Sequence, residues 1–205
     1  MEPNWLSYIK RVHAIALTGL AYTTNCYDLE RYEELKRISL QMLTEQSGME
    51  LPKIEALFTT ETGYQTPKVD VRAVVFVDDR ILMVREKIDN CWSLPGGWAD
   101  VGYSPGEVAA KEVWEEAGLK IKPTRLLGVL DKKCHPHPPS PFHTYKIFMQ
   151  CEITGGTLQP GMETSDARFF AKENLPELST DRITASQINL IFESLNKTNL
   201  DPFFD

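Results

Sequence analysis

One helix can be read in the amino-acid sequence with both of its ends marked, and it restricts the fold more than any other segment. Ser104 and Glu107 make an S-x-x-E capping box, Pro105 takes the first helical position, where a missing N–H costs nothing, and Gly118 provides a C-terminal stop. Between them, Ala109, Ala110, Val113 and Ala117 fall on one face and can pack on a sheet. At ~100° per residue, Glu115 lies about 60° to one side of Glu112 and Glu116 about 40° to the other, so three carboxylates share the adjoining face. Like charges three and four residues apart repel, the more so as water is excluded, and a cation should compensate them. Hard divalent ions such as Mg²⁺ or Mn²⁺ take oxygen ligands and retain waters, which suits a site shared with a phosphorylated substrate. A lone acidic run more often marks a solvated helix face, and three glutamates by themselves favour that plainer reading.

The rest of the chain divides by composition. Trp5, Ile9, Val12, Ala16 and Leu20 recur at the helical period, as do Leu29, Tyr32, Leu35, Ile38 and Met42, with Asp28 as the expected N-cap of the second helix. A shorter helix is expected from near Pro52 to near Phe58, after a break at Gly48. From Thr59 to Lys68 the chain is polar and interrupted by Gly63 and Pro67, as an interdomain linker would be. Beyond it, Val69 to Val77 and Ile81 to Arg85, separated by Asp78-Asp79, read as a hairpin. Further strands are expected at Arg125 to Leu130, Tyr145 to Ile153 and Ala167 to Ala171, and helices at Ser104 to Ala117 and from about Asp181 to Leu195. The expected organisation is a helical N-terminal domain over residues 1–62 and a second domain over 63–205, of α/β (α+β) class.

Charge narrows the function. The 205 residues carry 22 basic and 29 acidic side chains, a net charge of −7, which argues against electrostatic binding to DNA, RNA or anionic lipid. Residues 1–58 hold six basic against eight acidic side chains, leaving no basic recognition helix for DNA. The longest apolar stretch, roughly Ala14 to Tyr22, is far short of the roughly 20 residues a membrane helix needs, and the N-terminus lacks a secretory pattern; a cytoplasmic location is expected. Cys26, Cys91, Cys134 and Cys151 form no CxxC pair and are expected as free thiols. His135, His137 and His143 share a Pro-rich segment with Cys134 whose spacing fits no standard zinc finger, so it reads as a substrate-contacting loop. His13 is expected to be structural, and Trp5, Trp92 and Trp114 to pack in cores.

The context of the glutamates overturns their plain reading. Gly97, Glu112, Val113, Glu115, Glu116, Gly118 and Leu119 stand in register with G-x5-E-x7-R-E-U-x-E-E-x-G-U, U being a bulky apolar residue, and the segment thereby resembles the Nudix signature. Tyr103 stands where the signature has its first Glu and Lys111 where it has Arg; Glu107 is expected to pair with Lys111 at i,i+4. The N-terminal helices, with the segment Tyr27-Asp28-Leu29-Glu30-Arg31-Tyr32, resemble the N-terminal domain of a bacterial subgroup acting on nucleoside diphosphates linked to a further moiety X, of the ADP-ribose or CDP-choline type.

The resemblance implies an α/β/α sandwich with a mixed sheet, and a divalent-metal-dependent pyrophosphohydrolase using Mg²⁺ or Mn²⁺. Its reaction would cleave the P–O–P linkage of a small nucleotide substrate to a nucleoside monophosphate and phospho-X. By matching of positions, Glu112, Glu116 and the Gly97 carbonyl would be metal ligands, and Glu115 would hold a second ion or orient the others. Two acids outside the signature are candidates for the general base: Glu152 at a strand end and, preferred, Glu163 in the loop Gly161-Met162-Glu163-Thr164, which can bring a carboxylate over the metal face. Trp98 and His143 are candidate substrate contacts, Trp98 by stacking on a base or ribose. The apolar faces of the N-terminal helices must pack on something, which points to a homodimer or to a part in enclosing the substrate. Competing functions are a nucleotide-sensing regulator without turnover, and RNA end-processing or exonuclease action at the same metal site.

Overall fold

A computed structural model describes residues 2–58, 61–195 and 201–205. The chain folds as two units, one made of Glu2–Pro67 with Pro139–His143, the other of Lys68–Pro138 with Thr144–Asp205.

The first unit is helical. Helices α1 (Asn4–Tyr22), α2 (Cys26–Ser47) and α3 (Leu51–Phe58) close over Leu6, Ile9, Leu40, Leu43 and Ile54, with Trp5, Leu51 and Phe58 at the margin. The N-cap of α2 is Asn25 rather than Asp28, because the Asn25 Oδ1 reaches the N–H groups of Tyr27 and Asp28 at 2.9 and 3.4 Å. The apolar stripes are only partly buried. On α2 the covered residues are Ser39, Leu40 and Leu43, while Leu29, Leu35, Ile38 and Met42 are exposed. Leu35, Ile38 and Met42 lie on the far side of α2 from Leu40, so the helix is apolar on two sides and its own unit covers one. His13 is buried as expected, with Nδ1 2.8 Å from Ser39 Oγ and its ring 4.6 Å from that of Phe58. Of the predicted linker, residues 61–67 have no regular structure and belong to the helical unit; Thr59 and Thr60 lie outside the described residues.

The second unit is built on β1 (Lys68–Val77). One edge of β1 pairs in parallel with β6 (Thr144–Gly156), and the other pairs antiparallel with β4 (Gly96–Trp98) and with β2 (Arg80–Glu86). Strands β3 (Trp92–Ser93) and β7 (Thr164–Phe170) flank β2, β5 (Leu119–Asp131) runs antiparallel to β6, and β8 (Phe203–Phe204) lies beside β5. Among the described residues the mixed sheet has eight strands. Its two-residue period builds two cores from one strand: Val71, Ala73 and Val75 face Ala109, Val113 and Ala117 of α4 (Pro105–Ala117), while Val74 faces Ile188, Ile191 and Phe192 of α5 (Ala185–Leu195). A helix therefore covers each face, giving the α/β/α sandwich.

The ends of α4 are those read from the sequence. Glu107 Oε2 accepts the Ser104 N–H at 2.8 Å, Ser104 Oγ accepts the Glu107 N–H at 3.4 Å, and Gly118 is left-handed. Helix α5 begins at Ala185 rather than near Asp181, because the N–H groups of Arg182 and Ile183 close a turn on the Ser179 carbonyl, and Thr184 and Gln187 then cap the helix reciprocally. Strand β5 starts at Leu119, not Arg125; its first half alternates with lysines and contains Pro123, where the register shifts. No helix among the described residues is long and apolar enough to cross a membrane.

Candidate active site

A cavity of about 1230 Å³ opens beside α4, and its walls include Gly97, Trp98, Glu112, Glu115, Glu116 and Glu163. Six of the seven residues predicted for the site thus meet. His143 does not line it and belongs to residues 139–143, which group with the helical unit. Glu152 is exposed on β6 opposite Lys122, away from the lining.

Pairing of β4 with β1 puts Gly96 and Gly97 against α4. The Gly96 N–H donates to Glu116 Oε2 at 2.9 Å. A Cβ added at Gly97 would stand 3.3 Å from the Glu112 carboxylate, so glycine leaves room between its own backbone and that side chain. Lys111 does not pair with Glu107, whose carboxylate is committed to the capping box. Instead its Nζ lies 3.2 Å from Glu115, 3.3 Å from Glu112 and 3.7 Å from Asp100, where acidic charge is concentrated.

The electrostatics describe a wall short of positive charge. Burial pushes the Glu116 carboxyl up to about 8; Arg72 and the Gly96 N–H oppose the shift, and the Glu86 and Glu112 carboxylates add to it. Burial raises Glu112 as well, against the pull of Lys111. Lys111 in turn is held above the ordinary lysine range by its bond to Glu115 and by Glu112. Among the described residues, no three His, Cys, Asp or Glu side chains are gathered as a chelate. Glu112 and Glu115 lean toward Lys111, and Glu116 toward the Gly96 N–H. The donor set nonetheless fits a hard divalent cation: the ligands are all oxygen, the carboxylates carry more charge than Lys111 offsets, and Gly97 leaves space beside Glu112.

Several cavity residues escaped the sequence reading. Asp70, Arg72 and Lys146 are buried at its floor. Arg72 grips Asp70 through Nε at 3.0 Å and Nη2 at 2.9 Å and donates from Nη1 to the Leu94 carbonyl, while Lys146 Nζ bonds Asp70 from the other side. Burial alone would raise the Asp70 carboxyl, but Arg72 and Lys146 outweigh it and hold it at about 2. Burial lowers Lys146 to about 8, with Asp70 opposing. The available signal was a charge at alternate positions of an apolar strand, in Val69-Asp70-Val71-Arg72-Ala73. Trp114 corrects the packing assignment: it is half exposed on the cavity wall, with Lys120 Nζ 5.6 Å from its ring centre. Trp92 is buried as expected.

Known proteins share this layout. Residues 66–190 match the NUDIX domain, and residues 3–58 match a family described as a UDP-X-like, N-terminal oligomerisation domain. Over 205 residues, all of this chain and 99% of the relative, the sequence is 45% identical to YjhB of Bacillus subtilis (strain 168), which carries the provisional name ADP-ribose pyrophosphatase. A solved structure of a UDP-X diphosphatase is 35% identical, covers 98% of both chains and superposes with a TM-score of 0.64. That of an ADP-ribose pyrophosphatase from Streptococcus suis 89-1591 is 41% identical over 68% of this chain and 100% of its own, with a TM-score of 0.63. A NUDIX match across more than half the sequence, which includes the capped helix that carries the signature carboxylates, makes this chain a member of the Nudix hydrolase family.

Proposed function

We propose that the chain hydrolyses a nucleoside diphosphate linked to X, of the ADP-ribose or UDP-X type, to a nucleoside monophosphate and phospho-X, with Mg²⁺ as working metal. The observation that carries this reading is the meeting of Gly97, Glu112, Glu115, Glu116 and Glu163 on one cavity. The names of the full-length relatives support the substrate class.

Glu112, Glu116 and the Gly97 carbonyl would hold the metal, with Glu115 holding a second ion or orienting its neighbours. When bound, the cation offsets charge on the phosphoryl oxygens and lowers the pKa of water. Glu163 accepts a proton from the attacking water as that oxygen bonds to one phosphorus and the bridging P–O bond breaks. Trp98 and Trp114, half exposed on the wall, offer ring faces to a base or ribose. The reading gives His143 no role. It also takes the chain as a cytoplasmic homodimer, supported by the exposed face of α2 and by the oligomerisation family matched there.

The test is incubation with ADP-ribose, CDP-choline and a UDP-sugar in Mg²⁺, with products identified by chromatography. Monophosphate release from at least one of them, stopped by a chelator, is expected. Absence of monophosphate from all three would contradict the reading.

A further inference from the structure

Glu163 closes a loop, residues 157–163, that runs from the end of β6 into β7, and this loop is bonded along both sides. Toward α4 it serves the carbonyls that a helix C-terminus leaves unpaired. The Thr157 N–H donates to Gly118 and the Gln159 N–H to Ala117, each at 3.1 Å. Thr164, the first residue of β7, donates from Oγ1 to the Glu116 carbonyl at 2.7 Å. The same Oγ1 accepts the Gly161 N–H at 2.7 Å, so one buried hydroxyl uses its donor and an acceptor to shut the loop onto the helix. The contact is close: a Cβ at Gly161 would stand 1.7 Å from the Glu115 carbonyl oxygen. Toward β2, the Lys87 N–H donates to the Glu163 carbonyl at 3.1 Å, and Lys87 Nζ donates to the Met162 carbonyl at 2.6 Å.

We propose that Thr164 is the positioning residue for Glu163. Its hydroxyl ties the loop that carries Glu163 to the backbone of Glu116, and so fixes the distance between the proton-accepting carboxylate and the carboxylates of α4. The inference rests on the reading of Glu163 as proton acceptor. Thr164 touches no reacting atom and acts through the loop alone. It takes precedence over Lys87 because its hydroxyl is buried, as is the bond to Glu116, where a lost partner is costly, whereas Lys87 is exposed and water can replace its bonds.

The experiment is a double-mutant cycle on the full chain, with Mg²⁺ and ADP-ribose. Thr164→Val keeps the volume and removes the hydroxyl. It is expected to lower kcat by about 10- to 100-fold with little change in KM, as a misplaced catalytic group does. Thr164→Ser, which keeps the hydroxyl, is expected to stay near the parent. In a Glu163→Gln background Thr164→Val is expected to cost almost nothing further, because residues acting through one another are not additive. An equal loss in both backgrounds, or a serine variant as slow as valine, overturns this inference alone. An unimpaired Glu163→Gln overturns the proton-acceptor reading and this inference with it. Should Thr164→Val not fold, Thr164→Cys, which keeps a side chain of similar size with a much weaker hydrogen-bonding group, takes its place in the cycle and must show the same non-additivity; additive losses there overturn the proposal.

Discussion

Asp70 sits in a valine-rich strand, yet it neutralises two cations at the floor of the cavity. With Arg72 and Lys146 both against it and all three buried, removing the carboxylate leaves two like charges without the counter-ion they share, and only the weaker pull of Glu116 and Glu86 on Arg72 remains. Asp70→Asn should therefore destabilise the fold by about 3–5 kcal/mol, the usual range for breaking a buried pair. Lys146→Met should cost less, because Asp70 keeps Arg72. Urea denaturation of the two variants checks the ranking, and equal losses would contradict it. Asp70 and Arg72 left a local signal in their alternate positions, but their meeting with Lys146 was illegible because it spans 76 positions of sequence. Glu112, Glu115 and Glu116 were legible because one helix brings them together. Lys111 falls between: its place on α4 was plain, but its partners depend on Glu107 being taken by the cap.

At the scale of elements, α4 was readable end to end because its capping box and glycine stop are local chemistry. The N-terminal helices were readable as helices, not in their packing, because a helical period reveals an apolar stripe and not what covers it. The short strands β3 and β4 carry too few residues to show a pattern, although β4 places Gly97. His13 gives the helical unit a pH dependence. Burial holds it at about 4 against an ordinary 6.5, with Lys36 lowering it further and Glu61 opposing. The Ser39 hydroxyl donates to the Lys36 carbonyl at 2.7 Å and so accepts from His13 Nδ1–H, leaving Nε2 buried with no hydrogen-bond partner among the described residues. The unfolded chain therefore takes the proton first. The stability from neutral His13 is complete above about pH 6.5 and is lost as pH falls toward about 4. Urea midpoints between pH 7 and pH 4.5 should fall less steeply for His13→Gln than for the parent. His137, also lowered to about 4, is common to both proteins and cancels from the comparison. Superimposable pH profiles would contradict this assignment.

For the whole molecule, a net charge of −7 coexists with a phosphate-bearing substrate because acids are concentrated where a cation can sit. In the proposed dimer the exposed stripe of Leu35, Ile38 and Met42 would be the contact for the second copy. Light scattering at micromolar concentration should show a dimer for the parent and a monomer for Ile38→Glu, with helical content retained. A monomeric parent would remove the dimer.

The claim that the α4 carboxylates hold the metal and enable hydrolysis is tested most directly by the turnover of Glu116→Gln with Mg²⁺ and the substrate identified in the screen. A loss of about 100-fold or more is expected, with circular dichroism and thermal melting unchanged. A variant that turns over at the parent's rate would contradict the assignment of this site.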